Sequence, residues 1–240
     1  MASKRRMGIY GGTFDPVHIG HLTIARKLLE LFAFDFVLFM PAYHAPHKRA
    51  TVVTPALHRY AMLALATAAD ADLRISTVEL DAPQRPYTVD TLNRLKESFG
   101  AAYDLFFIMG GDLWNEINTW HEWKLVLDAA NHVVVTRPGF ELFTNHVPEG
   151  IRNRIVDLRN SSQQVVFDAP GSNAETRIYL TDAVQMNVSA SSIREAISSG
   201  YEADALRLVP QSVADYIRKY RLYTNEYRRE FIDQGTGASS

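Results

Sequence analysis

His18 and His21 stand three residues apart around Gly20, at the end of the run Gly11-Gly12-Thr13-Phe14-Asp15-Pro16-Val17-His18-Ile19-Gly20-His21. Side chains at that spacing on the first turn of a helix share a face, and each imidazole can donate an N–H to a phosphate oxygen. A helix start adds unpaired backbone N–H groups and the positive end of a dipole. Gly11 and Gly12 predict a sharp backbone turn open to close approach by a ligand. Together these residues read as a phosphate cradle. A His-x-Gly-His pattern arises by chance on the order of 0.01 times in a chain of this composition, so the match is specific, whereas the paired glycines alone carry little weight.

Positioning such a cradle requires a strand before it and a helix after it. Met7 to Tyr10 is a short apolar run, and Leu22, Ala25, Leu28, Leu29 and Phe32 recur at helical spacing. Phe36-Val37-Leu38-Phe39-Met40 and Leu105-Phe106-Phe107-Ile108-Met109 are unbroken apolar runs of strand length, as expected for strands covered on both faces. A helix over residues 54–69 with Leu57, Ala61, Ala64, Leu65 and Ala68 as its apolar face, a strand over 73–77 and a helix capped by Thr88 follow. A short helix around residues 123–127 and a strand at Val133-Val134-Val135 come next. The alternation predicts an α/β fold, a Rossmann-like doubly wound parallel sheet with helices on both faces. Residues 141–185 are irregular, with expected strands at 165–167 and 178–180. A helix starting at Ser191 or Ser192 and another bearing Val213, Tyr216 and Ile217 form a small helical C-terminal end.

At 240 residues with 47% hydrophobic side chains, the chain suits one domain over residues 1–223, with 224–240 an extension whose tail from Gly235 is expected to be disordered. A net charge of -2 gives no global basic field for nucleic acid, and the absence of cysteine excludes disulfides and thiolate metal sites. No early run has the length of a membrane span, and Met1 to Arg6 is basic without the apolar stretch of a secretory signal. A soluble cytoplasmic protein, monomer or homo-oligomer, is the expectation.

The segment Gly11 to His21 resembles the signature of the nucleotidyltransferase superfamily. Pro46-His47-Lys48, Pro86-Tyr87-Thr88, Gly110-Gly111-Asp112-Leu113, Thr119-Trp120, Arg137-Pro138-Gly139 and Val188-Ser189-Ala190-Ser191-Ser192-Ile193-Arg194 follow in the order and approximate spacing of the bacterial nicotinate-nucleotide adenylyltransferase family. The resemblance covers most of the chain. The second signature of that family usually reads Ile-Ser-Ser-Thr-x-Ile-Arg; here Val188, Ala190 and Ser191 depart from it, and only Ala190 removes a polar group.

The resemblance implies attack by the phosphate of nicotinate mononucleotide on the α-phosphorus of ATP, giving nicotinate adenine dinucleotide and pyrophosphate. It assigns His18, His21, Lys48 and Arg194 to the triphosphate as catalytic donors. Gly11, Gly12, Thr13, Phe14, Gly20, Ser189, Ser191 and Ser192 become ATP-binding residues. Asp15, His47, Tyr87, Thr88, Asp112, Trp120, His121 and Arg137 fall on the acceptor side, with Trp120 stacking on the nicotinate ring and a brace for the loop as the alternative reading of Asp15. Mg²⁺ is expected to travel on the ATP phosphates with few protein ligands. His58, His132 and His146 have no expected chemical role. Nicotinamide mononucleotide and phosphopantetheine remain alternative acceptors. The same tetrapeptide occurs in class I aminoacyl-tRNA synthetases, but their Lys-rich loop is missing and no tRNA-binding module is evident. A catalytically dead nucleotide sensor is disfavoured because the cradle keeps its histidines and lysine.

Overall fold

The computed structural model describes residues 4–43, 53–82, 86–137, 139–161, 164–167, 175–184, 186 and 188–227. Its strands are β1 (Arg5–Gly12), β2 (Phe36–Pro41), β3 (Leu73–Ile75), β4 (Tyr103–Gly110), β5 (Asn131–Val135), β6 (Ile155–Asp157) and β7 (Ile178–Thr181). They form one sheet in the order β3-β2-β1-β4-β5-β7-β6, every neighbouring pair parallel. The helices are α1 (Ile19–Phe32), α2 (Ala56–Thr67), α3 (Thr88–Phe99), α4 (Gly111–Asn115), α5 (Trp123–Ala129), α6 (Glu149–Arg152), α7 (Ala190–Ser198), α8 (Glu202–Leu206), α9 (Gln211–Lys219) and α10 (Asn225–Tyr227).

The two-residue period of the strands divides their side chains between two cores. Tyr10, Val37, Phe39, Phe106 and Ile108 face α1, α2, α7, α8 and α9. Met7, Ile9, Leu38, Phe107 and Met109 face α3, α4 and α5. Burial on both faces is why β2 and β4 are apolar throughout rather than alternating. The chain leaves β1 towards β2 on one side and reaches β4 on the other, so the strand order reverses between β1 and β4. Open α/β sheets bind ligands outside the carboxyl ends of the strands at such a point, and the histidine loop lies there.

Several expectations are corrected. Gly11 and Gly12 do not turn the chain: they are the last residues of β1, paired with Met40 and Pro41, and the left-handed backbone falls on Phe14 (φ 51°). Their small size is needed for close approach, because a Cβ on Gly11 would lie 3.0 Å from the Phe107 ring and one on Gly12 2.8 Å from the Phe14 ring. The α2 helix turns a different face inward from the one expected. Leu57 and Leu65 are exposed, and Arg59, Met62, Leu63 and Thr67 are buried. Tyr87, not Thr88, is the N-cap of α3, and its N–H donates to the Asp90 carboxylate (3.1 Å). Ser189, not Ser191 or Ser192, caps α7. Residues 165–167 form no strand; the Val165 N–H donates instead to the Leu31 carbonyl at the end of α1 (2.8 Å). The packed structure continues past Tyr223 to Tyr227, which is buried in the first core, while the tail from Gly235 lies outside the described residues.

Candidate active site

The first helix begins where the chain leaves β1, and its N-cap is a histidine rather than a hydroxyl or carboxylate residue. The His18 backbone N–H donates to His21 Nδ1 (3.2 Å), and the two imidazoles stack with centroids 3.7 Å apart at 26°. An Nδ1 that accepts leaves the proton of neutral His21 on Nε2, so the ring presents a donor on its far side. Gly20 makes the arrangement possible: a Cβ there would lie 3.0 Å from His18 Nδ1. His18 is 5% exposed, and its pKa falls to about 4, first through burial and then through the positive charge of Arg137. It is therefore neutral at pH 7, and its buried Nδ1 has no hydrogen-bond partner among the described residues.

The rings line a cleft with Tyr10, Gly20, Gly110 and Arg137; Ile24, Val135, Val184 and Val188 supply apolar lining. Arg137 is exposed at the end of β5, where it brings a cation towards the histidines. Asp112, the second residue of α4, lays its carboxylate over Gly110, where a Cβ would meet Oδ1 at 2.4 Å. Tyr10 feels both charges, and burial, the largest influence, raises its pKa and keeps the phenol protonated.

The distant second signature reaches this loop. At the head of α7 the Ser189 hydroxyl accepts from the Ser192 N–H (3.1 Å), and the two hydroxyls are 2.7 Å apart. One helical turn on, Arg194 is buried, donating through Nη1 to the Asp15 carbonyl (2.6 Å) and through Nη2 to the Ser191 hydroxyl (3.3 Å). Asp15 is 3% exposed, and its carboxylate is engaged inside the protein. Oδ1 accepts from the Tyr223 hydroxyl (2.9 Å) and Oδ2 from the Thr54 N–H (3.2 Å). Its geometry is that of a brace for the loop, one of the two readings open to it in the sequence.

A second group lies at the head of α3 and after α4. The exposed Tyr87 ring stacks on His121 with centroids 4.0 Å apart, next to Thr88, the first residue of α3. Trp120 is half-buried with its edge towards Phe107 (6.4 Å, 79°), and His121 Nε2 is 3.9 Å from Glu122 Oε2. His47 and Lys48 lie outside the described residues.

Sequence reasoning missed two residues that hold the cradle. Arg59, 1% exposed, donates to the carbonyls of Thr13 (2.7 Å), Thr54 (2.9 Å) and Tyr43 (3.2 Å). Its sequence signal was its helical spacing to Met62 and Leu63, which puts a cation on an apolar face. Tyr223 is the other; nothing local in the sequence ties it to Asp15.

The cytidylyltransferase-like family model matches residues 9–196. A probable nicotinate-nucleotide adenylyltransferase of Thermoanaerobacter sp. is 36% identical over 226 residues, covering 94% of this chain and 98% of that protein. A probable nicotinate-nucleotide adenylyltransferase of Thermomicrobium roseum is 37% identical over 219 residues, covering 91% of each. The fold is similar to that of Plasmodium falciparum nicotinic acid mononucleotide adenylyltransferase complexed with NaAD. The TM-score is 0.67 at 20% identity, with 91% of this chain and 97% of that one covered. With a doubly wound sheet, a histidine pair at its switch point and relatives alike over nearly their whole length, the chain belongs to the cytidylyltransferase-like family and, within it, to the nicotinate-nucleotide adenylyltransferases.

Proposed function

We infer that this protein transfers the adenylyl group of ATP to nicotinate mononucleotide, releasing pyrophosphate and forming nicotinate adenine dinucleotide. The observation that carries the reading is the stacked His18–His21 pair at the β1/β4 switch point, in a chain whose relatives over more than nine-tenths of its length bear that activity in their names. An oxygen of the acceptor phosphate forms a bond to the α-phosphorus, and the bond from that phosphorus to the bridging oxygen of pyrophosphate breaks. The attacking oxygen is already ionised near neutral pH, so no protein nucleophile is required, and the work is alignment and neutralisation of growing charge.

His21 Nε2–H and the helix N-terminus supply donors to the triphosphate, and Arg137 supplies charge in the same cleft. A neutral imidazole such as His18 still carries one ring N–H that can donate to a phosphate oxygen. Arg194, with two nitrogens committed to the protein, contributes mainly by fixing the loop. Ser189 and Ser192 shape the head of α7 and act on ATP through that geometry. Asp112 at the cleft and Tyr87, Thr88, Trp120 and His121 beside it form the acceptor side, where aromatic surface meets the pyridine ring and hydroxyl and backbone donors meet its carboxylate. Lys48 is assigned to the triphosphate and His47 to the acceptor side on the resemblance alone. Mg²⁺ belongs to the proposal as charge neutralisation carried on ATP phosphate oxygens, a mode of binding that calls for no cage of protein ligands. Among the described residues no group of three or more His, Asp or Glu is placed to form such a cage.

Pyrophosphate release with Mg-ATP and, separately, nicotinate mononucleotide, nicotinamide mononucleotide and phosphopantetheine tests the reading. Preference for the nicotinate substrate is the expected result. Activity confined to another acceptor would leave the ATP cradle standing and overturn the roles given to Trp120 and Thr88.

A further inference from the structure

Arg59 is a full cation, 1% exposed, on a helix face otherwise made of Met62, Leu63 and Thr67. Burying a guanidinium is costly unless its donors are used, and here every nitrogen is. Nη1 reaches the Thr13 carbonyl in the loop after β1, Nη2 the Tyr43 carbonyl just beyond β2, and Nε the Thr54 carbonyl just before α2. These partners belong to three separate segments of backbone, and Thr13 is five residues before His18. Thr54 extends the linkage, because its N–H donates to the Asp15 carboxylate whose other oxygen takes the Tyr223 hydroxyl. The charge of Arg59 is offset in the same place by Asp15 and Glu79. A packing role alone would be met by an apolar side chain on that face; a forked donor aimed at three carbonyls is a device for fixing backbone positions.

We propose that Arg59 is a positioning residue for adenylyl transfer, setting the Thr13–His18 loop against the segments at Tyr43 and Thr54 so that the histidine donors meet the phosphates in register. The inference rests on the activity proposed above. Arg59 touches no substrate; it acts through the backbone of Thr13 and, through Thr54 and Asp15, on the approach to His18. Misalignment of reacting groups costs more in turnover than in binding, with about 10²-fold for a displacement near 1 Å.

The test compares Arg59→Lys, which keeps the charge and stem but serves fewer carbonyls, with Ile178→Ala. Ile178 is fully buried at the amino end of β7, far from the carboxyl ends of the strands. Steady-state pyrophosphate release and thermal melting are measured on the full chain. The expected result is a kcat at least about fivefold lower in Arg59→Lys, with KM for both substrates within about threefold. Ile178→Ala should lower Tm at least as much and keep its kcat. If Arg59→Lys does not fold, Arg59→Gln replaces it, keeping an amide donor for one carbonyl, and the same threshold applies. A kcat reduced less than fivefold, a loss confined to KM, or an equal kcat loss in Ile178→Ala overturns the proposal. An unsubstituted protein inactive with every acceptor would overturn the functional reading and this inference with it; an active one beside an equally active Arg59→Lys overturns the inference alone.

Discussion

His21 is oriented by the backbone N–H of His18, a contact that places its ring proton on Nε2. A donor held this way is preorganised, since its direction is decided before the triphosphate arrives. Removing one preorganised donor at comparable sites costs roughly 10² to 10³ in turnover. His21→Ala is expected to lose kcat by that factor with its circular dichroism unchanged; near-normal pyrophosphate release would remove His21 from the mechanism. Much of this was legible in the sequence, because His18, Gly20 and His21 are neighbours and their spacing states the geometry. Asp15, in the same run, was legible only as two alternatives, a ligand or a brace. Whether a carboxylate binds a ligand or braces a loop depends on what surrounds it, and Thr54 and Tyr223 are 39 and 208 residues away.

The head of α7 shows what one hydroxyl does for an element. Ser189 caps the helix through the Ser192 N–H, and the same turn delivers Arg194 to Asp15. Loss of an N-cap costs about 1 kcal/mol, so Ser189→Ala should lower Tm by a few degrees. Because the helix start is what aims Arg194, activity at temperatures well below the melt should fall as well; calorimetry and turnover on the same sample check both. The strands and α1 were legible because burial on both faces leaves unbroken apolar runs and a long amphipathic period. The face of α2 was misjudged for the opposite reason: Leu57 and Leu65 look like core residues, but the core side is defined by Arg59, whose donors are spent on backbone carbonyls that no periodicity records. Short elements such as α4, α6 and β6 carry too few residues to show a period, and their positions are set by contacts such as Trp114 Nε1 donating to the Phe143 carbonyl (2.7 Å).

Across the molecule, the two cores each enclose or border a buried histidine whose charged form is disfavoured. His18 has its pKa lowered to about 4, and fully buried His132, beneath Phe107, to about 3, with desolvation the leading cause in both. In an unfolded chain both rings take up protons near pH 6.5, so below that value the unfolded state binds more protons and stability falls with falling pH. The loss begins near pH 6.5 and continues towards pH 4 for His18 and pH 3 for His132, amounting to about 3 kcal/mol per ring by pH 4. Urea melts from pH 7 to pH 4 should show this decline, and His132→Phe should make it shallower; an unchanged slope would show that His132 is not kept neutral by the fold. The bond from Tyr223 to Asp15 joins residues 208 positions apart. A ribosome makes the signature loop some two hundred residues before its anchoring tyrosine. Until residue 223 is made the nascent chain carries its histidines without that anchor, and a product released earlier never acquires it.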